Sequence, residues 1–503
     1  MAVLISKLLI RSSVSATKEQ PTQQKPLSKR DTASNHLPTG ESSHGVQVAH
    51  CQRHPAPSLL AILLLVSGCG NLERYHSAVA STLEQRLCFK RHIIDDSGAG
   101  ADGVHMTDVN QDGYQDVVSG WEESGELKLY LHPGAGVQKN GAQWTQVDIR
   151  GGQDVISIED AAFADLDLDG STDAVVSVTE GKGRKINRRV RIHYWDRSKP
   201  LTDPTRWEGS VLIADVPTDR FMKVRVAQID GKNGADLVVA SRDLIEYNGL
   251  TKETSIKGGI FLYSSPQIDH ITKGKDWKRI RLADIHKGKS IELLDMDGDE
   301  DIDILYAGAR NIGWLKNPGT VDIEQKWENN WIGSASDLAV CDVDADGKLD
   351  IVATASAKEY PIVARWFKRL GVDGKGWRAH DIRIQAELDT RFYRPDHFSL
   401  KSIACGHFRP NTDGSGPVDV AITTSGSGYG IFVALAPVRA GWDNHAAWTF
   451  APIEEYEWVM KYDNILALDM DDDGDDDLLT TEENEGLFFQ GAGVLWYENQ
   501  PCQ

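Results

Sequence analysis

The chain has 503 residues, with 54 Lys and Arg against 75 Asp and Glu, a formal net charge of −21 and 40% hydrophobic residues. The hydrophobic share is that of a globular protein and excludes wholesale disorder. The acidic excess excludes a protein that binds nucleic acid through the phosphate backbone, because such binding needs a positive surface. The 46 Gly, 14 Trp, 13 Tyr and 12 Phe residues favour an all-β chain with many turns.

The N-terminal region divides into three segments. Residues 1–57 are polar and show neither helical nor strand periodicity, and we interpret them as disordered or as an over-long gene start. Residues 58–69 contain the apolar run Leu59–Val66, which is far shorter than the roughly 20 residues of a spanning helix. This run is typical of the hydrophobic region of a signal peptide. We interpret residues 70–85 as a tether.

The end of the apolar segment, Val66-Ser67-Gly68-Cys69, resembles the bacterial lipobox. In that motif, small residues precede a cysteine that is lipidated and becomes the new N-terminus. We therefore predict an exported bacterial lipoprotein, periplasmic or at the cell surface, which a lipid on Cys69 alone attaches to the membrane. The alternative is a signal peptide that is cleaved elsewhere.

A nine-residue pattern, Asp-x-Asp-x-Asp-Gly-x-x-Asp, recurs along the remainder of the chain between apolar stretches. Five copies keep most of the acidic positions: Asp108–Asp116, Asp165–Asp173, Asp295–Asp303, Asp342–Asp350 and Asp469–Asp477. Two further copies keep the flanking stretches and lose acidic residues: Gln228–Asp236 and Gly406–Asp419. A repeat of this period indicates stacked supersecondary units that cannot bury their faces alone.

Each repeat has the same order of four short strands. The first precedes the Asp-rich loop, the second follows it, the third ends in an aromatic residue and a turn, and the fourth begins at a tryptophan. These tryptophans are Trp144, Trp207, Trp277, Trp377 and Trp448, with Trp327 or Trp331 in one repeat. Four short strands per unit in radial repetition predict a seven-bladed β-propeller of four-stranded blades, in a single domain at residues 86–503.

The two ends of this domain predict how the ring closes. The seventh unit stops after its third strand, and Cys88–Ile94 looks like a fourth strand without a partner. We expect this N-terminal strand to complete the last blade, because closure removes two unpaired sheet edges. The pairing makes Cys88 and Cys502 a candidate disulfide, which an exported context permits. Cys341 and Cys405 precede successive loops, and we expect both to be buried free thiols.

The Asp-rich loops have the composition of calcium sites. Carboxylates at alternate positions of a tight loop converge on one point, and calcium takes six to eight oxygen ligands. Glycine at position six permits the sharp turn, although the fourth unit has Gly298 at position four and Glu300 at position six. The alternative is a solvated acidic turn. We predict about five structural calcium ions, and none in the third unit, where Lys232 replaces a carboxylate, or in the sixth.

The predicted ligands lie at positions one, three, five and nine of the five acidic loops. They are Asp108, Asn110, Asp112, Asp116, Asp165, Asp167, Asp169, Asp173, Asp295, Asp297, Asp299, Asp303, Asp342, Asp344, Asp346, Asp350, Asp469, Asp471, Asp473 and Asp477.

The Asp-rich loop between apolar strands resembles the FG-GAP/VCBS repeat, the bacterial relative of the integrin α-chain N-terminal propeller, over residues 95–500. The resemblance implies a calcium-binding propeller, secreted or at the cell surface, that binds sugars or other proteins. The sequence is also similar, to a lesser degree, to the propeller domain of aldos-2-ulose dehydratases, which transform sugars.

Polar residues of the predicted first strands face the centre of the ring. Positions five and three before each loop share one face of the strand, because side chains alternate along it. The residues there are His105, Asp160, Lys223, Arg225, Glu292, Asp337, Lys401 and Asn464. They could line a funnel that binds a polar ligand, or they could form ion pairs between neighbouring blades.

Long connections lead into the third, sixth and seventh first strands, all on the same side of the ring. They add further candidates for ligand binding, namely Arg220, Arg391, Tyr393, Arg394, His397, Trp458, Lys461 and Tyr462. Aromatic residues together with Arg and His suit a sugar or an acidic glycan. Tyr393, Arg394 and His397 are the candidate catalytic residues, because a lyase or dehydratase needs a base and a cation.

From these observations we expect a monomeric binding protein, stiffened by calcium, that presents its loop-rich face to a polysaccharide or a surface protein and not to nucleic acid. The alternative is a sugar-active lyase or dehydratase with its site at the mouth of the central channel. The sequence contains no nucleophile elbow, phosphate loop or Ser/His/Asp signature that would indicate another chemistry.

Overall fold

The computed structural model describes a set of segments between residues 87 and 502. They are 87–134, 143–149, 157–181, 188–207, 209–248, 251–308, 311–319, 323–359, 361–384, 398–409, 417–427, 430–437, 447–453, 459–483 and 491–502. The chain divides into two units, Met1–Asn71 and Leu72–Gln503, and the described residues all belong to the second. The predictions for residues 1–57, 58–69 and 70–85, with lipidation at Cys69, lie outside them.

The described residues form antiparallel sheets in sequence order, which we number as blades 1 to 7. Blade 1 contains β2 (Ala101–Thr107), β3 (Asp116–Trp121), β4 (Glu126–Leu131) and β5 (Thr145–Asp148). Blade 2 contains β6 (Ile158–Ala164), β7 (Ala174–Thr179), β8 (Arg189–Tyr194) and β9 (Gly209–Asp215). Blade 3 contains β10 (Arg220–Ala227), β11 (Asp236–Arg242), β14 (Gly259–Ser264) and β15 (Lys278–Asp284), with a hairpin of β12 (Leu244–Asn248) and β13 (Thr251–Ile256) inserted after its second strand.

The remaining blades repeat this order. Blade 4 contains β16 (Ser290–Leu294), β17 (Asp303–Gly308), β18 (Asn311–Lys316) and β19 (Glu328–Gly333). Blade 5 contains β20 (Leu338–Cys341), β21 (Asp350–Thr354), β22 (Ile362–Arg369) and β23 (Trp377–Arg383). Blade 6 contains β24 (Phe398–Gly406), β25 (Asp419–Ser427), β26 (Ile431–Leu435) and β27 (Thr449–Pro452). Blade 7 contains β28 (Val459–Leu468), β29 (Asp477–Glu482) and β30 (Gly493–Gln500).

The seven-bladed β-propeller that the sequence predicts is the fold of the protein. No α-helix occurs among the described residues, and none of their helical segments has the length and apolar character that crossing a membrane requires. The last strand of blade 7 is β1 (Cys88–Asp95), which pairs antiparallel with β30 from Cys88 opposite Gln500 to Asp95 opposite Val494. Short pairing between β25 and β28 also links the sheets of blades 6 and 7.

The hydrophobic core lies between the blades, in seven separate layers. Each layer joins residues of two neighbouring sheets, and the seventh joins blade 7 to blade 1 through residues such as Trp496 and Trp121. Each sheet is thus covered on both faces, which explains why β3, β7, β17 and β29 are buried along their whole length. In blade 4 the tryptophan before the fourth strand is Trp327, which is 2% exposed, whereas Trp331 is 69% exposed.

The described residues contain two disulfides. Cys88 is bonded to Cys502, so that the closing strand is covalently attached beside β30. Cys341 is bonded to Cys405, and the prediction that both are free thiols is wrong. These two residues occupy the same place in neighbouring first strands, β20 and β24, which contact each other. Side chains at the same height therefore face one another, with a Cα–Cα distance of 6.4 Å.

The Cys88–Cys502 bond should stabilise the last blade. We expect Cys502→Ser to lower the free energy of unfolding by about 2–4 kcal/mol, the usual contribution of a native disulfide. Chemical denaturation of the oxidised wild type and variant measures the difference. Fully reduced samples of both proteins are the control, and there the difference should vanish; equal stability of the two oxidised proteins would contradict the prediction.

Candidate functional site

The last aspartate of each Asp-rich loop is a buried link within its blade. In blade 1, Asp116 accepts the backbone N–H of Val109 at 3.0 Å through Oδ2 and the backbone N–H of His132 at 2.8 Å through Oδ1. Val109 belongs to the loop and His132 follows the third strand. One carboxylate at the start of the second strand therefore ties the loop to the third strand.

We name the residues at this position the clamp aspartates: Asp116, Asp173, Asp236, Asp303, Asp350, Asp419 and Asp477. The complete pair of backbone contacts recurs in blades 3, 4 and 7. Blades 5 and 6 keep the contact with the third strand, and blade 2 keeps the contact with the loop. Because blade 3 has the clamp without an acidic loop, the clamp does not require an ion.

The five acidic loops also share a turn built around their first aspartate. In blade 1, Asp108 accepts the backbone N–H groups of Asp112 and Gly113 at 2.9 and 2.8 Å. The first aspartates of blades 2, 4, 5 and 7 accept the N–H groups of the same two loop positions. This curl of the backbone brings the alternate side chains of the loop to one side.

The oxygens of these loops have a spacing that suits calcium. Asp165, Asp167 and Asp173 each offer a carboxylate oxygen within 4.8 Å of the others, and Asp295, Asp297 and Asp299 do the same. Two oxygens on opposite sides of a calcium ion, each about 2.4 Å from it, are also about 4.8 Å apart. The donors are all oxygen, as a hard cation requires. In these two loops, three of the four predicted ligands therefore have a spacing and a chemistry that a calcium ion would accept.

In the loop of blade 4, the glycine stands at position four instead of position six, and the backbone conformation explains why both positions are possible. Positions four and six both have a positive φ in the acidic loops, for example Gln111 at 61° and Gly113 at 95°. In blade 4, Gly298 takes position four at 81°, and Glu300 takes position six at 72°. The glycine can therefore stand at either position. The non-glycine residue at the other position adopts the left-handed conformation, which costs about 1–2 kcal/mol. The loop keeps its turn despite the altered motif.

Basic side chains pair with three of the acidic loops. Lys316 forms ion pairs with Asp297 and Asp299, and Lys368 does so with Asp344 and Asp346. Arg197 similarly pairs with Asp169 and Asp173 in blade 2. These cations neutralise part of the charge of the loops in blades 2, 4 and 5. A calcium ion there has to share or displace these basic groups.

In the third unit, and in the described part of the sixth, other contacts take the place of the first aspartate and its turn. In blade 3 the amide of Gln228 donates to the carbonyl oxygens of Lys232 and Gly234 and accepts the N–H of Gly231. In blade 6, Arg409 forms hydrogen bonds with both oxygens of the clamp aspartate Asp419. The prediction that these two units hold no ion stays a prediction.

A cavity of about 730 Å³ runs along the central channel among residues of all seven blades, and most of its charged lining residues lie toward the end away from the Asp-rich loops. The first strands begin at this end, which we call the mouth, and the second strands finish there. The mouth is opposite the Asp-rich loops, which follow the first strands. Its lining includes eight carboxylates and six Lys or Arg side chains within the described part of the chain.

Several predicted mouth residues form ion pairs between blades. Asp160 of blade 2 is fully buried, accepts the backbone N–H of Val224 at 2.9 Å, and lies 3.4 Å from His105, 3.7 Å from Lys223 and 3.5 Å from Arg225. Burial alone would raise the pKa of Asp160, but Lys223 and His105 outweigh it and hold the pKa below its usual value.

The other predicted candidates are divided between paired residues and residues outside the described segments. Arg225 continues the network to Glu292 at 3.1 Å. The remaining pairs are Arg220 with Glu180, Lys401 with Asp463, and Lys461 with Glu483. Asp337 and Asn464 line the cavity, and the hydroxyl of buried Tyr462 bonds that of Tyr497 at 2.9 Å. Arg391, Tyr393, Arg394, His397 and Trp458 lie outside the described residues.

Residues that the alternation rule misses complete the mouth: Asp102, Glu122, Glu159, Glu180, Arg242, Lys289, Asp463 and Glu483. A β-bulge accounts for three of them, because the registers of β2, β6 and β28 shift next to Asp102, Glu159 and Asp463. A bulge inserts one residue and re-aims its side chain. Polar residues recur six positions before the loops, and that recurrence is the sequence signal that could have found them.

Charge is unevenly distributed around the cavity. Six of the eight carboxylates come from blades 7, 1 and 2, and four of the six basic residues come from blades 3 and 4. On the basic side, Lys289 has no carboxylate within ion-pair distance in the described part of the chain. Burial and the neighbouring Lys401 lower the pKa of Lys289. The cavity therefore offers an anion a cation that is not already neutralised by an ion pair.

The clamp can be separated from the ion by comparing two variants. Asp236→Ala removes the acceptor of three backbone N–H groups, which should lower the free energy of unfolding by about 3 kcal/mol. We expect the same loss with calcium and with chelator. Asp303→Ala should cost a similar amount with chelator and more with calcium, because it removes a clamp and a predicted ligand. Denaturation in both conditions measures this, and a calcium-dependent cost for Asp236→Ala would contradict it.

Calcium stabilisation should increase with pH. Burial raises the pKa of Asp116, Asp303 and Asp350 to about 6 and that of Asp477 to about 8 in the ion-free protein. Because their pKa is higher in the folded than in the unfolded protein, these aspartates stabilise the ion-free fold most at a pH below their unfolded pKa. This stabilisation is lost as the pH rises through 6 to 8 and the folded protein loses these protons. Calcium must displace those protons. The melting temperature gained from calcium should thus be larger at pH 8 than at pH 5.5; an equal or smaller gain would contradict this.

The comparisons with known proteins agree with the repeat pattern. The FG-GAP-like repeat family matches the sequence at residues 108–176 and 295–353. No curated protein matches the chain. Among solved structures, the chain is similar to the Bacillus licheniformis rhamnogalacturonan lyase PL11, with 13% identity over 81% of this chain and 75% of that chain and a TM-score of 0.40.

A second similar structure is the Photorhabdus luminescens Tc holotoxin pore, mutation TccC3-D651A, with 13% identity and a TM-score of 0.33 over 70% of this chain and 14% of that chain. Each of the two matched regions covers two complete Asp-rich loops, in blades 1 and 2 and in blades 4 and 5. The protein therefore carries FG-GAP-like repeats at these two regions, within a seven-bladed β-propeller.

Proposed function

We propose that the protein is an exported, calcium-stabilised β-propeller that binds an acidic glycan at the mouth of its central channel. The observation that carries the proposal is the mouth cavity, whose volume of about 730 Å³ is within the usual range of ligand sites. Charged and hydroxyl-bearing side chains line much of it, and a sugar with several hydroxyl groups and a carboxylate suits such donors and acceptors.

The basic side of the mouth favours an acidic glycan over a neutral one. Lys289 lies there without an ion pair among the described residues, and Arg242 lines the same cavity. A cation that has lost hydration and lacks a partner gains from an anionic ligand. Uronate residues of a polysaccharide would supply that carboxylate.

Export is supported by the disulfides. Cys88–Cys502 and Cys341–Cys405 would be reduced in the cytosol and persist in an oxidising compartment. Lipidation at Cys69 would then hold the propeller at a membrane surface, where a polysaccharide is accessible. Calcium in the acidic loops would stiffen the end of the blades that lies opposite the mouth.

Calorimetric titration with oligomers of galacturonic, glucuronic and mannuronic acid, and with neutral dextran oligomers, tests the proposal. We expect binding of at least one acidic oligomer and weaker binding of dextran. Lys289→Met should weaken binding about tenfold, the effect of losing one charged hydrogen bond. Lys278→Met, a charge change on the exposed fourth strand of blade 3, is the matched control. Binding of none of the acids, or equal binding by Lys289→Met, would overturn the proposal.

A sugar-active lyase or dehydratase is the second candidate, and the lowered pKa of Lys289 favours it. A lysine with a lowered pKa loses its proton more readily than an ordinary lysine, which suits a base that removes a proton next to a carboxylate. Ultraviolet absorbance of unsaturated uronates, recorded in the same mixtures, separates the two functions. Absorbance that grows with time and is lost in Lys289→Met would indicate the lyase, whereas binding without it supports the binding protein.

A further inference from the structure

Three buried carboxylates from three different strands or strand ends meet at the mouth. Asp102 lies in β2, Glu122 directly follows β3, and Glu159 lies in β6. Each offers an oxygen within 4.8 Å of the other two, and the three residues are between 2 and 6% exposed. This spacing is the one that the oxygens of a single metal ion have.

The group extends across the boundary between the last and the first blade. Asp102 forms a second group of the same spacing with Asp463 and Glu483. We name these five residues the mouth carboxylates: Asp102, Glu122, Glu159, Asp463 and Glu483. They come from blades 1, 2 and 7. Asp102 is the residue that the two groups share.

Basic side chains account for only part of this charge. Lys401 pairs with Asp463, and Lys461 pairs with Oε1 of Glu483. Oε2 of Glu483 is buried and has no hydrogen-bond partner in the described part of the chain.

Asp102 provides the second and stronger observation. The residue is 3% exposed and lines the cavity, yet no described residue donates a hydrogen bond to its carboxylate or forms an ion pair with it. A buried carboxylate without a donor is costly, and neighbouring carboxylates add repulsion. A ligand that supplies positive charge at this point would remove both penalties.

We propose that the mouth carboxylates bind one divalent cation, calcium or magnesium, through Asp102, Glu122, Glu159 and Glu483. The donors are all oxygen, which selects a hard cation over zinc or copper. The site is separate from the Asp-rich loops, which lie at the opposite end of the first strands. The bound cation ties blade 7 to blades 1 and 2.

The cation also completes the charge pattern of the mouth. Its ligands occupy the acidic side of the cavity, and coordination positions that the protein leaves open face the cavity. A carboxylate or hydroxyl group of a ligand can take those positions, with Lys289 on the basic side. The inference deepens the proposed glycan site, but the ion requires only the carboxylates and stands without the glycan.

Metal content after equilibrium dialysis tests the site on the full chain. Asp102→Asn keeps the shape of the side chain and removes its charge, and it should lower the bound calcium by one equivalent. Asp342→Asn, in the Asp-rich loop of blade 5, is the matched control and should also lower the bound calcium by one equivalent. The double variant should then lose two. An unchanged metal content in Asp102→Asn would overturn the proposal.

A crystal soaked with manganese or calcium gives the second readout. An anomalous peak between Asp102, Glu122 and Glu159 is expected in the wild type and should be absent from Asp102→Asn, while peaks in the Asp-rich loops remain. Peaks confined to the loops would show that protons alone compensate the mouth carboxylates and would overturn the proposal. A mouth ion without glycan binding would contradict the proposed function and leave this inference intact.

Discussion

Each blade has one carboxylate at the start of its second strand that accepts backbone N–H groups, and in blades 1, 3, 4 and 7 these come from both the loop and the third strand. A propeller blade is a meander in which the first and second strands are joined by a loop, and most of the described loop residues are polar apart from one apolar side chain in the core, such as Val109 or Met296. The clamp aspartate compensates, because its two oxygens satisfy donors that would otherwise be buried without partners. Six of the seven clamp aspartates are fully buried, including those of blades 3 and 6. Loop chemistry can therefore change while the blade keeps its geometry.

The separate roles of the clamp aspartate and the first aspartate explain how the acidic loops could bind calcium. The clamp fixes both ends of the loop, and the first aspartate fixes its turn. The side chains at positions three and five then remain to meet a cation, whether calcium, Lys316 or Lys368. In blade 3 the amide of Gln228 performs the turn-fixing role without charge. An ion would thus be added to a loop that is already folded.

The repeat made most of the fold accessible from the sequence. The Asp-rich loops, the tryptophans and the unmatched N-terminal strand give the number of blades and the pairing partner of β1. The pattern within each strand does not indicate the bond between Cys341 and Cys405, because the contact arises only when adjacent first strands bring equivalent residues together. The sequence pattern predicts only some of the residues that line the mouth. Strict alternation selected Asp160 and Lys223 but passed over Asp102, Glu159 and Asp463, since bulges turn these residues into the cavity.

The two ends of the ring consequently have different chemistry. One end has the Asp-rich loops, which serve the blades, and toward the other lies the charged part of a cavity to which every blade contributes a different side chain. Selective binding needs such asymmetry, and the separation of acidic from basic residues around the mouth provides it. Function in this protein is therefore best sought at the mouth, and stability in the loops.

Amide hydrogen exchange tests the central claim most directly. The account predicts that the backbone amides of Ile229 and Ser265 in blade 3, and of Met296 and Asn317 in blade 4, exchange as slowly with chelator as with calcium. The amide of Glu300 at the exposed loop turn should exchange faster than these four amides with chelator and should gain further protection with calcium. Fast exchange of the four clamp amides in chelator, at the rate of the loop turn, would contradict the claim that buried aspartates hold each blade without an ion.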